Sequence, residues 1–259
     1  MDNNLTNSNN LLKYENYTFL KELTLTKENF GCYNGKEWCG STKTLQVLNP
    51  HDNSTTALIK IASEDQYEQC INSMIAIKDT WMNLSMVKRG LIIQEIRENI
   101  KEKIIPLGHL VSLETGKTLS EGIFEIQEIV EVCDYAIGLS RIIGGKIYPS
   151  EKDNQQILEQ WNPIGLMGIL TAFNFPAAVF AINTAISMVC GNVTIWKATS
   201  NTSLISIAVT KIWVDVLFKH NLGGVLTLVV GHGSSLSELM VKDDRLKLIS
   251  FTGHSEVNL

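Results

Sequence analysis

The chain is 259 residues long, 44% apolar and 19% charged, which suits one large or two small domains around a buried core and excludes bulk disorder. Its net charge is -5 with no basic tract, so it lacks the clustered Lys and Arg that a nucleic-acid partner requires. The odd set Cys32, Cys39, Cys70, Cys133 and Cys190 contains no CxxC pair, which argues for reduced, packed thiols rather than a disulfide framework or a metal site.

Residues 1–15 open on an asparagine-rich stretch that reads as a polar tail. They carry neither the apolar core of a secretion signal nor the arginines of a presequence, so a cytoplasmic location is expected. The spacing of Phe19, Leu20 and Leu23 predicts a short helix over 17–30. In 31–62, Asn34-Gly35 and the polar turn 49–53 separate short apolar runs, predicting an antiparallel ribbon.

Helices follow. Ser63 and Gln66 fit a capping box ahead of a stripe of Tyr67, Cys70, Ile71, Met74 and Ile75. A second helix is predicted over 88–105, with Pro106 at the boundary to the next. The third carries Leu107, Leu110, Val111 and Glu114 inward and stops at Gly116. The fourth spans 119–143 and stops at Gly144-Gly145.

From Gln160 to Trp196 no charged side chain appears. Asn162-Pro163, Gly165, Asn174, Pro176 and Gly191 cut that run into pieces too short for a membrane span, so it reads as a buried strand–helix–strand. Strands are predicted over 157–161, 167–173, 193–196, 226–230 and 248–251, with helices over 177–190, 203–219 and 234–241. This alternation predicts an α/β fold built on a Rossmann-type parallel sheet with right-handed crossovers.

Ligands of such sheets sit at the carboxyl ends of the strands. The residues there are Thr171, Ala172, Phe173, Asn174, Phe175 and Pro176; Lys197; Gly231-His232-Gly233; and Thr252, Gly253 and His254. Each has a plain reading as a turn or solvated strand end. The functional readings are an amide donor to an oxyanion for Asn174, a donor to ribose or phosphate for Lys197, and close backbone approach to a phosphate for the glycine turns.

The motifs Asn162-Pro163-Ile164-Gly165, Phe173-Asn174-Phe175-Pro176, Gly191-Asn192-Val193 through Trp196-Lys197, and Phe251-Thr252-Gly253 occur in the order seen in the NAD(P)-dependent aldehyde dehydrogenases. Leu113-Glu114-Thr115-Gly116-Lys117, Cys133-Asp134-Tyr135-Ala136 and Glu159-Gln160-Trp161 resemble the family 7 branch, antiquitin. The resemblance runs from about Tyr17 to Val257 and covers the N-terminal half of the family's chain. It implies a cofactor-binding domain whose helical and β-ribbon part spans 16–148, a strand region at 149–161 matching the family's oligomerisation hairpin, and a truncated Rossmann-type unit over 162–259.

The resemblance also implies roles. Thr171, Ala172 and Phe173 line an NAD pocket, Lys197 binds the adenosine ribose, and Thr252, Gly253 and His254 approach the phosphates. Asn174 stabilises the oxyanion of a bound aldehyde, and Glu128 recognises the amino end of a semialdehyde such as that of lysine breakdown. His254 replaces the family's usual serine, and Ser200 replaces an acidic residue that holds the ribose, so NADP stays open beside NAD. The family's nucleophilic cysteine and general-base glutamate follow the segment matched here, as do its catalytic domain and oligomerisation strand. The expectation is therefore a truncated portion without aldehyde dehydrogenase activity of its own and of marginal stability. The alternative is a non-catalytic nucleotide-binding or subunit-interaction remnant.

Overall fold

The computed structural model describes residues 14–231 and 233–253. The first elements are a short helix, Thr18–Glu22 (α1), then strands Glu28–Phe30 (β1), Cys32–Tyr33 (β2), Trp38–Cys39 (β3), Thr44–Leu48 (β4) and Thr55–Lys60 (β5). The helix expected over 17–30 is thus only its first half. Thr24 takes φ 55, which a right-handed helix excludes. Beyond it Glu28–Phe30 pairs in parallel with Leu58–Lys60, so tertiary pairing overrides the helical spacing. The ribbon expected over 31–62 is also corrected. β4 and β5 are antiparallel as expected, but β2 and β3 leave them to extend the main sheet.

Four helices follow: Glu64–Asn83 (α2), Met86–Lys101 (α3), Ile104–Thr115 (α4) and Leu119–Ile142 (α5). Ser63 and Gln66 form the expected reciprocal capping box on α2, and Thr118 with Glu121 forms another on α5. Pro106 lies in the first turn of α4, where its missing N–H costs nothing. Gly116 ends that helix at φ 76, a left-handed cap open to glycine. Ile147–Pro149 (β6) and Gln156–Leu158 (β7) then pair as an antiparallel hairpin exposed along its whole length. The strand expected over 157–161 is the shorter β7.

The remainder alternates strand and helix: Leu166–Leu170 (β8), Ala178–Val189 (α6), Val193–Ala198 (β9), Ser203–Lys219 (α7), Leu226–Val230 (β10), Gly233–Val241 (α8) and Leu246–Phe251 (β11). β8, β9 and β10 are buried at every residue, which explains their unbroken apolar character: helices cover both faces. The main sheet has the order β11-β8-β9-β10-β2-β3, its first four strands parallel. Ser200–Lys219 is long and apolar enough to cross a membrane by composition, yet 72% of its most apolar 18-residue stretch is buried inside the protein, as in a core helix.

Three buried ionisable side chains join these layers, each at helix ends of suitable polarity. The Glu114 carboxylate accepts from Leu204 N and Ile205 N at 2.9 and 2.7 Å, capping α7. The Glu125 carboxylate accepts from Ala177 N and Ala178 N at 2.9 and 3.3 Å, capping α6. The Arg89 guanidinium donates to Val189 O at 2.9 Å, to Trp81 O and Met82 O at 3.4 and 3.2 Å, and to Leu84 O, so it closes the ends of α6 and α2 together. At the amino edge of the sheet, Asn192 Oδ1 accepts from Ile164 N and Gly165 N at 2.7 and 3.0 Å. The Asn162–Gly165 and Gly191–Val193 motifs therefore meet as a structural tie, away from the carboxyl edge.

Candidate functional site

The strand order places the site. From β8 the chain winds through β9 to β10, then returns to place β11 on the other flank of β8. The direction of winding reverses between β8 and β11, and in open α/β sheets it is at the carboxyl ends of such a pair of strands that a binding crevice forms.

That crevice gathers the expected residues. β8 ends at Leu170 rather than at Phe173, so Thr171, Ala172, Phe173 and Asn174 lie on the loop into α6 instead of in the strand. Phe251 pairs with Leu170, and Thr252 N donates to Leu170 O at 3.0 Å, which sets Thr252 and Gly253 beside that loop. On the other flank Lys197 pairs with Leu170 and with Val229, and is the penultimate residue of β9 rather than the residue following it. Three adjacent strand ends thus bring these side chains to one edge. His254 and His232 lie outside the described residues.

The loop is held at its start by the Trp196 indole, which donates to Thr171 Oγ1 at 3.0 Å. Beyond it Phe173, Asn174 and Phe175 are exposed. The Asn174 amide has no hydrogen-bond partner among the described residues and is free to donate outward.

Lys197 is only 7% exposed, and burial lowers the pKa of its ammonium. It has no hydrogen-bond or ion-pair partner among the described residues. A buried cation without a partner costs stability unless something outside the chain pairs with it. Its place at the crevice makes an anionic or polyhydroxy ligand the matching partner. Ser200 follows at the start of the turn into α7.

Clefts of about 730 Å³ occur elsewhere, one around Asn34, Gln69 and Asn221 and one around Met86, Trp161 and Leu248. Neither is lined by these residues.

Glu128 lies half-buried on α5, one turn beyond Glu125 and therefore on a shared helix face. It is not on the strand edge, but Glu125 touches the first residues of α6, so α5 borders the end of the loop.

Sequence reasoning missed Glu125 and Lys117 as partners of that loop. The signal was present for Glu125: it stands among Gly122, Ile126 and Ile129 on the buried stripe of α5. Glu114 was legible as inward-facing, and it is buried, with desolvation pushing its carboxyl up to about 8 against the pull of its two backbone bonds.

The five cysteines lie elsewhere. Cys32, Cys39 and Cys70 sit on β2, β3 and α2, with Cys32 Sγ 3.7 Å from Cys70 Sγ. Cys133 is buried on α5, and burial raises its thiol to about 12. Cys190 ends α6 at the amino edge, where burial also raises its thiol. None reaches the crevice.

Comparison with known proteins agrees with this geometry. The chain is 46% identical over 247 residues to the alpha-aminoadipic semialdehyde dehydrogenase of Bos taurus, covering 95% of this chain and 46% of the relative. It is 43% identical over 241 residues to aldehyde dehydrogenase family 7 member B4 of Arabidopsis thaliana, covering 93% of this chain and 47% of the relative. The chain therefore spans about half the length of the curated relatives it matches. Among solved structures, a point mutant of betaine aldehyde dehydrogenase from Staphylococcus aureus in complex with NAD+ superposes with a TM-score of 0.83 at 25% identity, covering 91% of this chain and 46% of that one. The model of the aldehyde dehydrogenase family matches residues 38–258, and the chain belongs to that family.

Proposed function

We propose that these residues form the cofactor-binding part of an NAD-dependent dehydrogenase that oxidises a semialdehyde of the lysine-breakdown type to its acid, with NADP as the other admissible cofactor. The observation that carries this reading is Lys197, a largely buried lysine with no partner among the described residues, at the carboxyl end of β9 and one strand from the switch point between β8 and β11. The S. aureus relative of similar fold holds NAD+, and the B. taurus relative is a semialdehyde dehydrogenase, which supports the cofactor and substrate class.

The residues fit a dinucleotide. Lys197 would donate to the ribose hydroxyls, and on the exposed Thr252-Gly253 turn the Gly253 N–H, left over once Thr252 N is bonded to Leu170 O, would face the phosphates. Thr171, Ala172 and Phe173 would form the wall beside them. The bound nicotinamide supplies the hydride acceptor. Asn174 presents a free amide, the donor needed where negative charge develops on an aldehyde oxygen. Glu128 offers a carboxylate to the amino end of the substrate. The exposed apolar hairpin of β6 and β7, with Ile147, Tyr148, Ile157 and Leu158, is the face we assign to contact with another subunit.

No thiol among the described residues stands at the crevice, so binding without turnover is the behaviour we assign to these 259 residues in isolation. The test is a calorimetric titration of the 259-residue chain with NAD and with NADP, followed by an assay for NADH formation with a semialdehyde. Saturable binding that Lys197→Met weakens at least about tenfold supports the reading. Parent-like affinity in Lys197→Met, or steady NADH production by the chain, overturns it.

A further inference from the structure

The loop that carries Asn174 is gripped at its far end by a pair of charges that the cofactor reading does not use. Glu125 is 1% exposed. One of its oxygens caps α6 through Ala177 N and Ala178 N, and the other accepts from Lys117 Nζ at 2.7 Å. The same ammonium lies 3.8 Å from the centroid of the Phe175 ring, next in sequence to Asn174. Lys117 is itself anchored. Its backbone oxygen accepts from Ser112 Oγ at 2.6 Å, and its backbone N–H donates to Thr115 Oγ1 at 3.3 Å, just after the left-handed cap at Gly116.

A helix cap needs only the carboxylate. The ammonium is superfluous to it, and the contact with Phe175 is outside the helix altogether. Cation and ring together fix an otherwise exposed aromatic, and with it the peptide that bears Asn174. At the near end the Trp196 indole holds Thr171. Asn174 is thus suspended between two fastened points with its own amide unengaged.

We propose that Lys117 and Glu125 are positioning residues for Asn174, holding the Thr171–Pro176 loop so that the amide faces the crevice. The value of that position rests on the proposed reading of Asn174 as an oxyanion donor; the grip on the loop does not, and can be measured without cofactor.

The experiment is native-state chymotrypsin digestion of the 259-residue chain, with cleavage at Phe173–Asn174 followed by mass spectrometry. Lys117→Met removes the ammonium and leaves the cap. Glu125→Gln keeps an acceptor for Ala177 and Ala178 but loses the charge that holds Lys117. Both are expected to be cut at this bond about fivefold faster than the parent, with melting temperatures close to the parent's, and Lys117→Arg is expected to restore most of the protection. Cleavage of Lys117→Met at the parental rate overturns the proposal, as does acceleration that merely follows a fall in melting temperature. If the loop loosens as expected while NAD fails to bind the parent, the grip stands and the cofactor reading falls. If NAD binds but the loop does not loosen, the reverse holds.

Discussion

The helical layer and the carboxyl edge of the sheet treat buried charge in opposite ways. In the layer, Glu114 and Glu125 each meet two backbone N–H groups at a helix start, and Arg89 meets four carbonyls at two helix ends. At the edge, Lys197 is also largely buried but meets no hydrogen-bond or ion-pair partner among the described residues. A buried ionisable group whose hydrogen bonds are satisfied, ionised or not, belongs to the architecture, because removing it orphans its partners. An unsatisfied one is a cost that folding alone does not recover, and such costs concentrate where a ligand completes the set.

The largest expected effect tests the first half of that contrast. Arg89→Leu leaves four carbonyls at the ends of α2 and α6 without their donor. We expect a loss of more than about 3 kcal/mol in urea unfolding, or no soluble product. A loss below about 1 kcal/mol would show that water replaces the guanidinium there. Glu114→Ala orphans two N–H groups and should cost about 1–2 kcal/mol by the same measurement.

The second half predicts the opposite sign. Lys197→Met removes a charge with no partner among the described residues, so urea unfolding should find it unchanged or up to about 1 kcal/mol more stable, while its NAD affinity drops. Destabilisation by as much as Glu114→Ala would place Lys197 among the structural charges.

The smallest effect is a pH dependence. Glu114 titrates at about 8 in the folded chain against the ordinary 4.5, so between those values the folded state binds more protons than the unfolded one. Stability from this group is present below the lower value and is lost as pH rises toward 8. Melting temperatures across that window should fall for the parent relative to Glu114→Gln. Parallel profiles for the two would mean that the backbone bonds keep the carboxyl ionised throughout. Lys197 works the other way at alkaline pH: its lowered pKa makes the fold gain stability as pH climbs toward 10.5.

Much of this was legible before any coordinates. The capping box at Ser63, the left-handed stop at Gly116 and the alternation after residue 160 are local signals, and local signals survive folding. So did the placement of Thr171–Asn174, Lys197 and Thr252 at strand ends, because the strands were readable from their apolar runs. What failed was long-range pairing. Glu28–Phe30 becomes a strand only because β5 lies beside it, and Cys32–Tyr33 joins the main sheet through Val229 and Leu228. The ends of β8 and β9 moved by a few residues, which shifted Thr171 off its strand and Lys197 onto one. Glu125 escaped notice for a similar reason: its partners lie 52 and 53 residues away, beyond any helical period.

Arg89 carries a consequence for how the molecule assembles. Its acceptors include Val189, 100 residues further along. Its other acceptors, Trp81, Met82 and Leu84, are local and can be met as soon as α2 and α3 form, whereas the bond to Val189 waits for α6. The arginine thus fastens an early helical end to a late one through a single side chain, and distant contacts of this kind close after local ones because the intervening loop must first be ordered.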